Sequence, residues 1–162
     1  MKLLAIDSST EACSVAIMQG SEIIECWEIA PREHTRKLLP MVDSLLARSS
    51  LSLSQLDAIA FASGPGSFTG LRVCISIVQG LAFGADLPVV PISSLATLAQ
   101  SAVDQQRVPA GARILAALDA RMEEVYWATY QQSGGLVEAL GEESLSAPEA
   151  VQVTELCIGQ QL

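Results

Sequence analysis

The sequence predicts an α/β protein built from two similar lobes, and three observations support this prediction. Short apolar stretches with alternating polarity, typical of strands, are interspersed with stretches of helical spacing. Residues 3–18, LLAIDSSTEACSVAIM, align without a gap on residues 115–130, LAALDARMEEVYWATY, so that Asp7 falls on Asp119. Half of the chain is hydrophobic and 17% is charged, which is the composition of a folded protein.

The first lobe is predicted to have the element order β-β-β-α-β-α, followed by a further strand and helix. The first helix requires Pro40 to lie in its first turn, because proline lacks the N–H that an interior turn needs. Strands are predicted at residues 3–6, 13–17, 22–29, 58–62 and 89–92, and helices at 38–46, after the GPGSFTG turn, and from Ser93 or Ser94 to 103.

The second lobe is predicted to repeat this plan. Strands are expected near residues 113–118, 124–130 and 136–140, and a helix is expected to open around residues 146–153. Duplicated β-β-β-α-β-α lobes are the plan of the actin-like, or ribonuclease H-like (ASKHA), fold. We place the first lobe at residues 1–105 and the second at 106–162, where it is expected to be incomplete.

Charge and cysteine usage restrict the classes of partner. The formal net charge of −9 provides no basic surface for gripping nucleic acid, so any RNA is expected to be held by a partner. The cysteines are scattered and there is one histidine, His34, so we predict no metal site and a reducing compartment. The apolar N-terminal run is too short for a signal peptide, and we expect a soluble cytoplasmic protein without membrane contact.

A glycine-rich loop, GPGSFTGLR, precedes the second helix. Because Leu71 and Arg72 follow its last glycine, it lacks the lysine and hydroxyl residue of a P-loop. The loop is interpreted as a strand-to-helix turn in which Ser67 or Thr69 caps the helix, with an anion contact at free N–H groups as an alternative role. The residues concerned are Gly64, Pro65, Gly66, Ser67, Thr69 and Gly70.

The catalytic templates that we compared with the sequence are not matched. There is no G-x-S-x-G motif, and His34 is expected to be exposed or to cap the first helix. Asp7 and Asp119 end matching strands, where actin-type enzymes place metal-associated carboxylates, but Asp7 is also suited to capping its own turn. We therefore predict no catalytic residue, no metal and no cofactor.

The motifs LLAIDSSTEACSVAI, HTRKLLPMVDSLL, GPGSFTGLRVCISIVQGLA, PVVPISSLATLA and LDARMEEVYWA, in this order, resemble the TsaB family, also called YeaZ. The resemblance spans about residues 1–140. It implies a non-catalytic subunit in the synthesis of threonylcarbamoyladenosine (t6A) on tRNA, which pairs with the related enzyme TsaD and is joined by the ATPase TsaE. In TsaD the segment matching ISSLATL carries two metal-binding histidines, whereas here those positions are Ser94 and Leu98.

The second predicted helix is apolar on nearly every side, so we expect one side to lie on the sheet and the other to be covered by a further helix or by another protein. The resemblance implies that this helix and the first one form the contact surface for either a homodimer or a heterodimer with TsaD. The predicted contact residues are Leu39, Val42, Leu46, Arg72, Ile75, Ser76 and Gln79.

Two other functions remain open at this point. One is an actin-type nucleotide-dependent enzyme, or a glycoprotease-like peptidase, with a metal or nucleotide in the cleft between the lobes. The other is a structural homodimer without a different partner.

Overall fold

The computed structural model describes residues 1–152 and divides the chain into two compact units. The first unit is Met1–Ile92, and the second begins at Ser93. Both units are mixed α/β, and each has its own sheet and its own hydrophobic core.

The first unit contains a five-stranded sheet of order β3-β2-β1-β4-β5. The first three strands are antiparallel neighbours, whereas β4 pairs with β1 in parallel. All five strands confirm the predicted positions, with ends that differ by a few residues. The strands are β1 (Lys2–Asp7), β2 (Ala12–Gln19), β3 (Glu22–Ile29), β4 (Ala58–Gly64) and β5 (Val89–Ser93).

Two helices, α1 (His34–Arg48) and α2 (Phe68–Ala85), complete the core of the first unit. The apolar side chains of β2 alternate between buried and partly exposed, so the strand buries one face. Each large aliphatic side chain that is fully buried contributes about 1.5–3 kcal/mol of transfer free energy. The central members of this core are Leu4, Ile6, Val15, Ile17, Leu38, Val42, Leu45, Ile59, Cys74 and Val78.

Helix α1 starts earlier than predicted, and Pro40 lies inside it rather than in its first turn. The prediction was wrong because it treated the missing N–H as incompatible with an interior position. Pro40 is on the exposed side of α1, where water can satisfy the carbonyl oxygen that loses its helical donor.

The second unit begins with helix α3 (Ser94–Asp104), which packs on a sheet of order β6-β7-β8. Leu95 and Ala99 of α3 are buried against the strands, so α3 belongs to the second unit. The boundary between the units therefore lies before α3, between residues 92 and 93, whereas the sequence-based boundary at residue 105 lies after it. The strands are β6 (Arg113–Arg121), β7 (Glu124–Ser133), β8 (Leu136–Ala139) and β9 (Ser144–Ser146), and β9 pairs with β7.

The helix expected to open around residue 146 is not found between residues 146 and 152. Residues 144–146 are held extended by pairing with residues 125–127. Pro148 then begins a single 3-10 turn, Pro148–Ala150. Val153, the end of the expected segment, lies outside the described residues.

The start of α2 is fixed by close packing on the loop between β1 and β2. A Cβ placed on Gly70 would lie 1.9 Å from the carbonyl oxygen of Ser8, and one on Gly66 would lie 2.4 Å from that of Ser9. The Ser8 hydroxyl donates to the Gly70 carbonyl at 2.9 Å, and the Ser67 N–H donates to the Ser9 carbonyl at 2.7 Å. No other residue type fits at these two glycines without displacing backbone.

We expect Gly70→Ala to lower the free energy of unfolding by about 2 kcal/mol or more, since overpacking against a backbone carbonyl cannot be relieved by a side-chain rotation. Gly80→Ala is the matched control, because Gly80 also lies in α2 but a Cβ there meets nothing within 4 Å. That change should raise the free energy of unfolding by about 0.5–1 kcal/mol through helix propensity. Urea denaturation measures both values, and equal effects of the two substitutions would contradict the packing account.

Candidate functional site

Helix α2 buries one narrow stripe, formed by Gly70, Cys74, Val78 and Ala82, and exposes its opposite side. The prediction that one side of this helix lies on the sheet is confirmed, and residues 1–152 do not cover its other side, for which another protein remains the predicted cover. The apolar residues of α2 divide into a sheet-facing stripe and an outward surface, because β1, β4 and α1 contact only part of its circumference. Among the described residues, α2 is also the one helix long and apolar enough to cross a bilayer by length and composition.

The exposed side of α2 combines two aromatic rings with small and polar residues. Phe83 is 93% exposed and Phe68 is 69% exposed, which is unusual for residues of this size in a helix that helps to build a core. Gly80 and Gly84 offer open space where a side chain would be. We call this surface the outer face of α2, and its members are Phe68, Arg72, Ser76, Gln79, Gly80, Phe83 and Gly84.

The structure divides the α2 members of the predicted contact set. Arg72, Ser76 and Gln79 are exposed and lie on the outer face. Ile75 is only half-buried at its margin. These positions remain candidates for a partner contact.

The α1 members of the set divide in the same way, and one of them is wrong. Leu39 is 42% exposed, and Leu46 is partly buried against the core. Val42 is fully buried, so it is a core residue and is not available to a partner. The reason is phase, because Val42 lies four residues after Leu38 on the sheet-facing side of α1.

Sequence reasoning left Phe68, Phe83, Gly80 and Gly84 out of the contact set. A signal for them was present, since Gly80 follows Ser76 by four residues and Phe83 follows it by seven, which places both on the same side of a helix. The exposure of Phe83 could not be read from its residue type, because an apolar residue is usually interpreted as core.

The loop before α2 is occupied by internal hydrogen bonds. Ser67 is the N-cap and its hydroxyl oxygen accepts from the Gly70 N–H at 3.2 Å, which confirms the predicted cap and selects Ser67 over Thr69. Gly64 has a φ of 109°, a conformation that favours glycine, and the Gly64–Pro65 peptide bond is cis. Because the Ser67 and Gly70 N–H groups are already paired, the loop mainly positions α2, and an anion contact remains a prediction.

His34 is buried rather than exposed, which corrects the sequence-based expectation. Its Nε2 atom lies 2.9 Å from the Thr10 carbonyl oxygen, and its side chain is 8% exposed. The N-cap of α1 is Glu33, which makes no side-chain capping hydrogen bond. His34 thus ties the start of α1 to the same β1–β2 loop that holds the start of α2.

Cys74 lies in the buried stripe of α2 and is held in its protonated form. Burial raises the pKa of its thiol to about 12, and the nearby charge of Asp7 acts in the same direction. The Cys74 Sγ atom is 3.3 Å from the Ile6 carbonyl oxygen and donates to it. A neutral, buried thiol is neither a nucleophile nor a metal ligand.

Asp7 and Asp119 each close a turn at the end of their own strand. Asp7 Oδ1 accepts from the Ser9 N–H at 2.7 Å, and Asp119 Oδ1 accepts from the Arg121 N–H at the same distance. The predicted turn-capping role of Asp7 is confirmed, and its counterpart in the second unit repeats it. Residues 1–152 contain no group of three or more His, Cys, Asp or Glu side chains that could hold a metal ion.

The start of α3 carries Ser94 and Leu98, the two positions for which the resemblance implies metal-binding histidines in TsaD. Ser93 is the N-cap, and its hydroxyl oxygen accepts from the Leu95 and Ala96 N–H groups, both at 3.1 Å. Ser94 is buried and its hydroxyl has no hydrogen-bond partner among residues 1–152, whereas Leu98 packs against the core of the second unit. Neither side chain offers the imidazole nitrogen that such a metal site uses.

Comparison with known proteins relates this geometry to a family. Residues 27–158 match the family model described as TsaD, tRNA N6-adenosine threonylcarbamoyltransferase. The tRNA threonylcarbamoyladenosine biosynthesis protein TsaB of Escherichia coli is 48% identical over 152 residues, which cover 93% of this chain and 64% of the relative. The protein of the same name from Haemophilus influenzae is 54% identical over 127 residues, covering 78% of this chain and 52% of the relative.

A solved structure agrees with the sequence comparisons. YeaZ from Pseudomonas aeruginosa superposes with a TM-score of 0.91 at 47% identity, over 98% of this chain and 74% of that one. This chain spans about half to two thirds of the length of the E. coli and H. influenzae relatives. The actin-like, ribonuclease H-like α/β fold predicted from the element order is confirmed, and the chain belongs to the TsaB (YeaZ) family.

Proposed function

We propose that this chain is a non-catalytic accessory subunit in the synthesis of threonylcarbamoyladenosine on tRNA. It acts by forming a heterodimer with TsaD through the outer face of α2 and the adjoining exposed residues of α1, and the ATPase TsaE joins this pair. The tRNA is bound only through the complex, since this chain carries a net charge of −9. In the absence of TsaD a second copy of the chain occupies the same surface, and the complex works in the cytoplasm.

The names of the relatives and the family model support the pathway and the partner. The relatives from E. coli and H. influenzae are named as biosynthesis proteins of this modified nucleoside. The match to the TsaD model includes all of α1 and α2, so TsaD is expected to carry an equivalent helix pair. Two chains with equivalent helix pairs can form a pseudo-symmetric contact of the same kind as a two-fold homodimer.

The observation that carries the proposal is the exposure of Phe83 and Phe68 on one side of α2. Single exposed apolar residues are common, but here two phenylalanine rings are exposed on the same side of one helix, and Leu39 of α1 is 42% exposed as well. Burying one such ring contributes about 1.5–3 kcal/mol. A partner helix is the natural cover, because the space above Gly80 and Gly84 is open to its backbone.

The contacts of the nucleophilic and acid–base candidates support a non-catalytic role. The Cys74 thiol is buried with a raised pKa, and His34 is engaged with a backbone carbonyl. Asp7 and Asp119 close their own turns. Because none of these groups is set beside an activated partner, we assign the chemistry of the modification to TsaD.

The apolar composition of α2 is better explained by packing on the sheet on one side and a partner contact on the other than by insertion into a membrane. Its buried stripe packs on the sheet of the first unit, and its outer face includes Arg72 and Gln79. A helix in a bilayer would have to place these two polar side chains in lipid.

We expect Phe83→Asp to abolish the heterodimer with TsaD and to leave folding intact, because the ring is almost wholly exposed and makes little contribution to the core. Its effect on the free energy of unfolding should stay within about 0.5 kcal/mol. Light scattering behind size exclusion, on equimolar mixtures with TsaD, measures the heterodimer.

Met122→Asp is the matched control for this substitution. Met122 is 91% exposed, lies in the β6–β7 turn of the other unit, and has a φ of 55°, which aspartate tolerates. It introduces the same charge at nearly the same exposure, and it should bind TsaD like the wild type. The proposal fails if Phe83→Asp binds as well as the control.

Gly80→Leu tests whether a partner backbone approaches α2 closely. Leucine is a strong helix former and meets nothing within 4 Å at its Cβ, so the free energy of unfolding should not fall. A branched side chain there should separate the two helices and weaken binding by about tenfold or more, equivalent to about 1.4 kcal/mol. Isothermal titration with TsaD, with Gly80→Ala as the control of smaller volume, measures the effect, and unchanged affinity for the leucine variant would place the contact elsewhere.

A further inference from the structure

Arg72 on the outer face of α2 is held in place by an aromatic ring. Its guanidinium carbon lies 4.0 Å from the centroid of the Phe68 ring, one turn earlier on the same helix. Both side chains are exposed. When a planar guanidinium stacks on a ring, one of its faces contacts the ring. Its N–H groups lie in the guanidinium plane and stay available to donate hydrogen bonds.

Two basic side chains of the described residues pair with carboxylates of this chain. Lys37 pairs with Glu28 at 3.0 Å, and Arg121 pairs with Asp119 at 3.3 Å. Within residues 1–152, Arg72 has no carboxylate within ion-pair distance and rests on Phe68 instead. In a chain with twice as many acidic as basic residues, this is a cation kept away from its own carboxylates.

The surface beside Arg72 is shaped for a helix. Ser76, Gly80 and Gly84 follow Arg72 at intervals of four residues, and a Cβ on either glycine meets nothing within 4 Å. Gly80 lies about 12 Å from Arg72 along the helix axis, at a rise of about 1.5 Å per residue. A helix that crosses α2 near Gly80 therefore places residues about two turns from the crossing point beside the Arg72 guanidinium.

We propose that Arg72, oriented by Phe68, is the specificity-determining residue of the outer face of α2, and that it selects a partner helix carrying an aspartate or glutamate. The two oxygens of that carboxylate accept a forked pair of hydrogen bonds from the guanidinium edge. The apolar remainder of the partner helix packs over Gly80 and beside Phe83. This inference rests on the proposed function, because it names the chemistry of the partner at the same surface.

The test uses Arg72→Glu, Arg72→Lys and Phe68→Leu in the full chain, with surface plasmon resonance against TsaD at several salt concentrations. Reversing the charge should lower the affinity by on the order of a hundredfold, mainly by placing two like charges together. Arg72→Lys keeps the positive charge but loses the paired N–H donors and the planar group that stacks on Phe68, so it should lower the affinity for TsaD by about tenfold. Phe68→Leu keeps an apolar residue but frees the guanidinium, and a loss of several-fold is expected.

The second arm identifies the partner carboxylate. Each aspartate and glutamate on the TsaD surface helices is reversed to lysine in turn and tested against Arg72→Glu. One reversal should restore binding to the Arg72→Glu variant while weakening binding to the wild type. Arg121→Glu, an exposed arginine at the β6–β7 turn of the other unit changed in the same way, is the control for net charge.

The outcomes separate this inference from the proposed function. If the wild type does not bind TsaD, the proposed function fails. If the wild type binds, and Arg72→Glu binds as tightly as Arg121→Glu, or no single reversal restores it, then Arg72 does not select a carboxylate and the inference is overturned. A charge effect confined to self-association of this chain would also overturn it.

Discussion

The close packing of α2 on the β1–β2 loop is the constraint on which the rest of the first unit depends. Gly66 and Gly70 leave no room for a side chain against the carbonyl groups of Ser9 and Ser8. The same loop accepts a hydrogen bond at Thr10 from the buried His34 of α1. One short loop therefore determines where both helices begin on the sheet, and hence which side of each helix faces outward.

The position of α2 on the sheet divides its residues into a buried stripe and an outer face. The stripe that contains Cys74 and Val78 packs in the core of the first unit, while Phe68 and Phe83 are exposed on the outer face. A helix serving only the core would carry polar residues outside. Instead Phe83 lies outside with Gly80 beside it, and this arrangement supports the interpretation of the outer face as a contact surface.

Much of this architecture could be predicted from the sequence, because short-range patterns determine it. Alternation located the strands, the aspartate at position 7 predicted its own turn, and the serine at position 67 predicted the start of α2. The errors have a common origin in helix phase and tertiary packing. Val42 was assigned to the contact surface, although its position four residues after Leu38 places it on the sheet-facing side of α1. His34 was expected to be exposed or to cap α1, because its contact with the Thr10 carbonyl group is formed only by tertiary packing.

The central claim is that the outer face of α2 is covered by TsaD, and hydroxyl-radical footprinting of the mixed proteins tests it most directly. Phe68 and Phe83 on α2, and Met122 in the other unit, are all exposed in the single chain, so each is expected to react with hydroxyl radicals when the chain is diluted to a monomer. The account predicts that TsaD protects both phenylalanines and leaves the oxidation of Met122 unchanged. If a stable complex forms while Phe83 is oxidised as fast as before, the contact lies elsewhere and the account is contradicted.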